Sequence, residues 1–229
     1  MHNGDDTHYY LSKANKVVAI EANPDLCKTC ITRFYKEIKE GRLIILNIMV
    51  SDRSGISHFF LNNDDSKLSS SIRSWADKGK SNLTQIDVQE ESILKLFEEY
   101  GVPKYLKIDV EGADLLILRN LLSANLSPTS LPRFISVEDC RFGFEYVDLL
   151  NKMGYQKFKL LDQSTIPNYI NPYSGENFPL GSSGPFGDDI PGEWLDKVNF
   201  ELLYETTVRT RQGIRLKDHK HWWDIHASI

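Results

Sequence analysis

The chain has 229 residues, of which 41% are hydrophobic and 26% are charged, and its formal net charge is −5. These values are typical of a globular protein with one well-packed core. The negative charge argues against a nucleic-acid partner, because affinity for a phosphate backbone comes mainly from clustered Lys and Arg. No apolar run reaches the roughly 20 residues that span a bilayer, and no signal-peptide pattern is present, so we predict a cytoplasmic protein without a membrane partner.

Strands and helices alternate along residues 1–161. The predicted strands are 17–20, 43–50, 57–61, 84–88, 105–110, 134–137 and 155–161. The predicted helices are 25–39, 93–100, 114–122 and 145–153, with 8–13 as part of an earlier one. Alternation of this kind implies right-handed crossovers and a mostly parallel sheet that is covered on both faces.

The three cysteines do not form a disulfide framework and fit a reducing compartment. Cys27 and Cys30 form a C-x-x-C, which could be redox-active or half of a zinc site. However, they share helical spacing with Phe34 and Ile38, and no second cysteine pair completes four ligands. We therefore predict that both cysteines pack in the core.

The pattern becomes irregular after residue 161, and we predict that residues 162–229 pack as a tail on the domain formed by residues 1–161. Residues 181–189 are glycine-rich, and this segment is either a mobile lid over the strand ends or a surface loop. A helix near Trp194 and a strand at 200–204 are predicted next. An aromatic run at 221–223 follows.

Two predicted strands end in carboxylates. Glu21 follows the first strand, and the 105–110 strand delivers Asp109 and then Glu111. In open α/β sheets ligands bind at the carboxyl ends of the strands, and a carboxylate in the position of Glu21 commonly accepts hydrogen bonds from ribose hydroxyls. Gly4 and Thr7 lie one helix upstream, where a glycine turn would approach the cofactor. This pattern predicts a nucleotide-like cofactor beside a reacting group.

Four motifs in order carry a family resemblance: N-G-D-D-T (3–7), V-V-A-I-E-A-N-P (17–24), N-I-M-V-S-D-R-S-G (47–55) and K-I-D-V-E-G-A-D (107–114). Over roughly residues 1–160 the chain resembles the FkbM-type S-adenosylmethionine-dependent methyltransferases. The resemblance implies a doubly wound, mostly parallel α/β sheet of the class I methyltransferase (Rossmann-like) type. It also implies S-adenosylmethionine as cofactor and a small-molecule acceptor whose hydroxyl, of a sugar or natural-product type, receives the methyl group.

The resemblance also assigns residues to the cofactor. Gly4 and Thr7 would lie near its methionine part, and Glu21 would bind the ribose with Ala22 and Asn23 beside it. Ser51 and Asp52 would lie near the adenine, and Asp109 would face the methyl group and the acceptor.

Deprotonation of an alcohol acceptor requires a base. We expect Asp109 to act as this base or to orient the hydroxyl, because a carboxylate partly buried at a strand end can have a raised pKa. Glu138 and Asp139 follow the next strand and are second candidates. Lys107 and Glu111 alternate with Asp109 along its strand, where they brace it, face the substrate as further catalytic groups, or simply pair with neighbours.

We predict no bound metal. A divalent ion held by Asp109 with Glu138 or Asp139 is the alternative, since hard cations prefer carboxylate oxygens. The tail also carries acidic and histidine side chains that could bind a metal: Asp218, His219, His221, Asp224 and His226. They do not have the spacing of a known metal site, and we expect the histidines to be solvated.

The chain departs from the family pattern at its start, because the first strand and its D-x-G would precede Met1. We therefore expect a sheet that lacks or incompletely forms its first strand, and a weakened affinity for the cofactor. One alternative function is a non-catalytic, methyltransferase-like binding module. The other is a nicotinamide-dependent oxidoreductase, which is disfavoured because the chain has no G-x-G-x-x-G.

Overall fold

The computed structural model describes residues 1–77 and 81–229, which form two compact units. Unit 1 comprises Met1–Tyr100 with Val110–Ala113, and unit 2 comprises Gly101–Asp109 with Asp114–Ile229. Each unit has its own sheets and helices. The predicted division at residue 161 stays a prediction.

Unit 1 contains five α-helices, one short 3-10 helix (Ser66–Leu68) and five strands among its described residues. The helices are α1 (Asp5–Lys13), α2 (Pro24–Arg33), α3 (Tyr35–Lys39), α4 (Arg73–Ala76) and α5 (Ile93–Tyr100). The strands are β1 (Val17–Ile20), β2 (Leu43–Leu46), β3 (Met49–Ser51), β4 (Gly55–Asn62) and β5 (Leu83–Ser92). β1 and β2 form a parallel pair, while β5 lies between the parallel β3 and the antiparallel β4.

The strand predicted at 43–50 is interrupted by Asn47. Its Nδ2 atom donates to the carbonyl oxygens of Glu21 and Ala22, at 2.9 and 3.1 Å. These bonds tie the chain to the end of β1, so β2 stops at Leu46 and β3 joins a different sheet. The strand β2 therefore ends where the side chain of Asn47 forms hydrogen bonds with carbonyl groups that are distant in sequence.

The predicted packing of the C-x-x-C cysteines is confirmed. Cys27 and Cys30 lie on α2 with 3% and 0% of their surfaces exposed, and both are free thiols. Cys30 belongs to an apolar cluster with Phe34 and Leu43. Burial, assisted by the charge of Glu21, raises the pKa of Cys27 to about 11, which keeps this thiol protonated and unreactive at neutral pH.

Unit 2 contains one mixed sheet, three α-helices and three short 3-10 helices (Pro128–Ser130, Gln163–Asn168 and Gly187–Asp189) among its described residues. The elements are β6 (Tyr105–Ile108), α6 (Asp114–Ser123), β7 (Phe134–Glu138), α7 (Gly143–Met153), β8 (Lys157–Asp162), α8 (Lys197–Thr207) and β9 (Trp223–Ser228). The strand order is β6-β7-β9-β8, in which β6 and β7 are parallel and β9 runs antiparallel to β7 and β8. The α/β class is therefore confirmed, but the sheets are mixed rather than mostly parallel.

Two elements predicted near residues 194–204 differ from the observed helix α8. The strand expected at 200–204 is helical, because Asp196 caps the helix through a 2.9 Å bond from the Asn199 amide, and Phe200 and Tyr204 bury one face at i and i+4. The expected helix near Trp194 begins at Lys197 instead. Within the described part of the chain, no helix is long and apolar enough to cross a bilayer.

The glycine-rich segment 181–189 packs against the face of the unit 2 sheet, which does not agree with an ordinary surface loop, while the alternative of a mobile lid stays a prediction. The Phe186 ring stacks on Tyr105 with centroids 4.0 Å apart. A Cβ atom at Gly187 would lie 3.1 Å from the Phe134 ring, so glycine permits the close approach. The segment thus completes part of the core of unit 2.

Six strands have an edge without a strand partner among the residues described, and β1 and β6 are two of them. β1 is paired with β2 alone, and β6 is paired with β7 alone. An interior strand of a sheet has two neighbours, so both β1 and β6 are edge strands of their own sheets.

Candidate active site

Glu21 lies directly after β1, as predicted, and its carboxylate is held by main-chain amides. Oε2 accepts the amide hydrogen of His2 at 2.7 Å, and Oε1 accepts that of Asn23 at 2.9 Å. The side chain is 12% exposed. Since a carboxylate offers about four lone-pair positions, two amide bonds orient the group and leave acceptor capacity for further donors.

Gly4 and Thr7 lie at the start of α1. Gly4 adopts φ +83°, and a Cβ atom there would lie 2.6 Å from the Phe34 ring. The glycine is therefore required by both the backbone conformation and the close packing. Thr7 is only 3% exposed, and its amide donates to the Gly4 carbonyl at 3.0 Å, so in unit 1 it is part of the packed helix start.

Ala22 and Asn23 have local structural roles beside Glu21. Ala22 is buried in an apolar cluster with Met49 and Phe59. Asn23 caps α2, since its side chain accepts the amide hydrogen of Asp25 at 3.0 Å. Both residues therefore stabilise the connection between β1 and α2. Their predicted contact with a cofactor stays a prediction.

Ser51 and Asp52 end β3 differently. Ser51 is 5% exposed, and its hydroxyl donates to the Arg53 carbonyl at 2.9 Å and accepts the Arg53 amide hydrogen at 3.1 Å. Asp52 is exposed. Of this predicted pair, Asp52 is therefore the residue that a ligand can reach directly.

Asp109 follows β6 in unit 2 and forms an ion pair with Lys107. The Lys107 ammonium lies 3.0 Å from Asp109 Oδ2 and 3.3 Å from Asp224 Oδ2. The side chains of Lys107, Asp109 and Asp224 are 16%, 35% and 2% exposed. Lys107 therefore braces Asp109 and links it to a buried carboxylate on β9.

The expected raised pKa of Asp109 is wrong. Burial disfavours its ionised form, but the neighbouring Lys107 ammonium and its hydrogen bond outweigh burial and hold the pKa of Asp109 below its usual range. An already ionised carboxylate with a low pKa is a weak general base at neutral pH. Asp109 is thus suited to orient a hydroxyl or to face a cation rather than to remove a proton.

The two acidic residues after β7 have different surroundings. Glu138 lies within hydrogen-bonding contact of Asp109, and this contact favours ionised Asp109. Asp139 accepts the Tyr204 hydroxyl hydrogen at 2.6 Å and lies 3.4 Å from an Arg209 guanidinium nitrogen. With its side chain 4% exposed, Asp139 anchors α8 and is not available as a base.

Glu111 belongs to a tight turn in unit 1. It adopts φ +52° and is followed by Gly112 at φ +99°. Its Oε2 atom accepts the indole hydrogen of Trp75 at 3.2 Å, and its carbonyl accepts the Ser70 hydroxyl at 2.7 Å. The Trp75 contact had no signal in the sequence. The predicted catalytic role of Glu111 stays a prediction.

The tail histidines are not equally solvated, contrary to expectation. His226 is 2% exposed, and β9 aligns it with Ser136 of β7 and Lys159 of β8. Burial, with Lys107 and Lys159 nearby, lowers the pKa of His226 to about 3, so the ring is neutral. Its Nε2 atom is buried without a hydrogen-bond partner in the described structure.

The pairing of Lys107 with Asp109 could be predicted from sequence and was one of the stated alternatives, because residues two apart on a strand share a face. The partner Asp224 could not, since it lies 117 positions along the chain from Lys107. The contact between Asp162 and His221 was also not predicted from the sequence. Its only signal was the position of Asp162 after a predicted strand.

A family model described as the methyltransferase FkbM domain matches residues 1–160. Comparison with curated proteins and with solved structures found no match. The match covers well over half of the chain and includes Glu21, Asp109 and Glu138. The chain therefore belongs to the FkbM methyltransferase domain family.

Proposed function

We propose that the chain transfers a methyl group from S-adenosylmethionine to a hydroxyl of a small acceptor of the sugar or natural-product type. Family membership supports methyl transfer. The observation that carries the cofactor assignment is the carboxylate of Glu21, fixed at the end of β1 by two main-chain amides. A doubly wound arrangement of the sheets is part of this proposal.

Unit 1 offers acceptor groups that fit a ribose. Each oxygen of Glu21 accepts one amide hydrogen, so each retains a lone pair for a ribose hydroxyl. The exposed Asp52 is the neighbouring candidate for contact with the adenine, and the turn at Gly4 is the candidate for the methionine part. These residues would bind and orient the cofactor.

Asp109 is the group that we expect to face the reaction. When bound, S-adenosylmethionine supplies a methyl group on a positively charged sulfur. Asp109 stays ionised because Lys107 lies 3.0 Å away, and it can orient the acceptor by accepting a hydrogen bond from a hydroxyl next to the one that is methylated. Alignment of this kind is the main requirement of an in-line displacement.

A metal-assisted reaction is disfavoured by the position of Lys107. The ammonium already lies within 3.0 Å of Asp109, where a cation bound to this carboxylate would meet charge repulsion. We therefore expect that removal of metal ions with about 5 mM EDTA leaves the rate of methyl transfer unchanged.

The experiment is calorimetry with S-adenosylhomocysteine, followed by transfer of labelled methyl from S-adenosylmethionine to a panel of methyl glycosides. We expect binding by the native chain and affinity weakened at least about 10-fold in Glu21→Gln, since charge-assisted hydrogen bonds contribute about 1.5–3 kcal/mol each. Glu40→Gln is the matched control, because Glu40 is exposed on the surface of unit 1.

The outcomes separate the three classes of function. No heat with S-adenosylhomocysteine overturns the cofactor assignment, and heat with a nicotinamide dinucleotide instead supports an oxidoreductase. Binding of S-adenosylhomocysteine without methylation of any glycoside contradicts the acceptor class and favours the non-catalytic binding module.

A further inference from the structure

Asp162 and His221 form a contact at the carboxyl edge of the unit 2 sheet. Asp162 is the last residue of β8, and His221 lies two residues before β9. The Asp162 Oδ2 atom lies 2.7 Å from His221 Nδ1. The amide of Gln163 donates to the Trp222 carbonyl at 2.8 Å, so main-chain pairing fastens the two segments together.

The hydrogen bonds around Asp162 fix the tautomer of His221. Ser164 donates to Asp162 Oδ1 through its amide at 3.0 Å and through its hydroxyl at 2.6 Å. The Ser164 hydroxyl also lies 3.2 Å from His221 Nδ1, but its proton is directed to the carboxylate. Nδ1 must then carry the hydrogen that Asp162 Oδ2 accepts, which leaves the lone pair on Nε2.

The described residues form no hydrogen bond with His221 Nε2, and the His221 side chain is 39% exposed. The ring stacks on Trp223 with centroids 5.9 Å apart. The charged groups that face His221 are Asp162 and Arg215, whose guanidinium donates to the His221 carbonyl. The imidazole is therefore held in place while its basic nitrogen is accessible.

The strands β6, β7 and β8 run in the same direction, so Asp109, Glu138 and Asp162 end at one edge of the sheet. Among the described groups at this edge, Asp109 is held ionised by Lys107, and Glu138 is bonded to Asp109. The carboxylate oxygens of Asp139 already accept hydrogen bonds from Tyr204 and Arg209. An accessible imidazole with a free lone pair is the better proton acceptor.

We propose that His221 Nε2 accepts the proton of the acceptor hydroxyl and that Asp162 is a positioning residue. The inference rests on the proposed O-methyl transfer. The hydroxyl O–H bond breaks as its proton moves to Nε2, and the oxygen forms a bond to the methyl carbon. The carbon–sulfur bond breaks with its electron pair left on sulfur. The imidazolium is stabilised by Asp162 and then releases its proton to water.

The test compares His221→Gln and Asp162→Asn with His219→Gln, a control in which an exposed histidine of the same tail is changed. The first readout is the tautomer of His221 in the ¹⁵N-labelled native chain, which we expect to carry hydrogen on Nδ1. The second is kcat, KM and their pH dependence with the methyl glycoside that the native chain uses best. Affinity for S-adenosylhomocysteine is measured on every variant.

We expect His221→Gln to lower kcat at least about 100-fold, the lower range for a general base, and to abolish the fall of kcat on the acid side. KM and the affinity for S-adenosylhomocysteine should change less than about 2-fold, since uniform binding is retained. Asp162→Asn should lower kcat by at least about 10-fold, because it removes the carboxylate that orients the imidazole and stabilises the imidazolium.

Hydrogen on Nε2 in the native chain overturns the inference, as does a retained kcat in His221→Gln. A change confined to KM would assign His221 to acceptor binding and also overturn it. If the native chain methylates no glycoside or binds no S-adenosylhomocysteine, the proposed function fails, and the inference fails with it. The two failures are thus distinguished by the behaviour of the native chain.

Discussion

Lys107 connects β6 to β9, because its ammonium group lies between the carboxylates of Asp109 and Asp224. We expect Lys107→Met to lower the free energy of unfolding by about 2 kcal/mol. Breaking a fully buried pair costs about 3–5 kcal/mol, and the partial exposure of Asp109 reduces this figure. Urea unfolding at pH 7 measures the change.

The control for Lys107→Met is Lys104→Met, since Lys104 is exposed just before β6. It should unfold within about 0.5 kcal/mol of the native chain. Lys107→Arg should recover part of the loss, because it restores a cation beside both carboxylates. Equal stability of Lys107→Met and Lys104→Met would show that the pairing adds nothing to the fold.

His226 gives the protein a sensitivity to acid. Its pKa falls from 6.5 to about 3 on folding, so between these values the unfolded chain binds a proton that the folded chain does not. Stability is therefore lost as the pH falls through this window, by about 1.4 kcal/mol per pH unit. His226→Gln should flatten the pH dependence of the unfolding free energy between pH 6 and 4 by this slope.

Urea unfolding at several pH values measures the effect of His226→Gln. His219→Gln provides the reference, because His219 is exposed and its replacement should leave the slope as it is. Parallel curves for the native chain and His226→Gln would refute the assigned neutral, buried imidazole.

The turn after β6 depends on a glycine that packs against α4. Gly112 has φ +99°, and a Cβ atom there would lie 2.7 Å from the Trp75 ring. Gly112→Ala should lower the free energy of unfolding by about 3 kcal/mol, since backbone strain and a steric overlap combine. Gly101→Ala has similar backbone strain at φ +84° and no atom within 4 Å, and should cost only about 1 kcal/mol.

Thermal or urea unfolding of the two alanine variants isolates the contact with Trp75 from the backbone strain. If Gly112→Ala and Gly101→Ala lose equal stability, the indole moves aside at little cost, and the turn is not fixed by this packing.

At the level of elements, the sequence predicted those whose pattern is set by local residues. The strand at 17–20 was predicted with its observed bounds, and the helix at 145–153 begins two residues earlier than predicted, at Gly143. Prediction failed where a distant group decides. Asn47 ends β2 through carbonyl groups beyond β1, and periodicity along β2 cannot reveal that contact.

The candidate site was also predicted in part. Glu21 and Asp109 could be placed at strand ends from sequence, because a short run typical of a strand precedes each of them. Burial suggested a raised pKa for Asp109, but the ammonium of Lys107, two residues earlier, lowers it. The sequence therefore predicted the position of the carboxylate correctly, but it predicted a raised pKa for a group whose pKa is lowered.

At the scale of the whole chain, the family match ends at residue 160, whereas the unit 2 sheet requires a strand from the tail. β9 lies between β7 and β8 and pairs with both, so β8 has no other strand partner among the described residues. Trp223, Ile225 and Ala227 of β9 are at most 3% exposed. The tail is thus an integral part of the core of unit 2.

We expect a chain that ends at Lys217 to lose the folded structure of unit 2, because β8 would be left without a partner and the apolar face beneath β9 would be exposed to water. Near-ultraviolet circular dichroism should show loss of the aromatic signal, and amide exchange in residues 134–162 should become fast. Removal of Ile229 alone, which is 41% exposed, should leave both measurements unchanged. Native protection of residues 134–162 in the shortened chain would mean that β6, β7 and β8 hold together without β9.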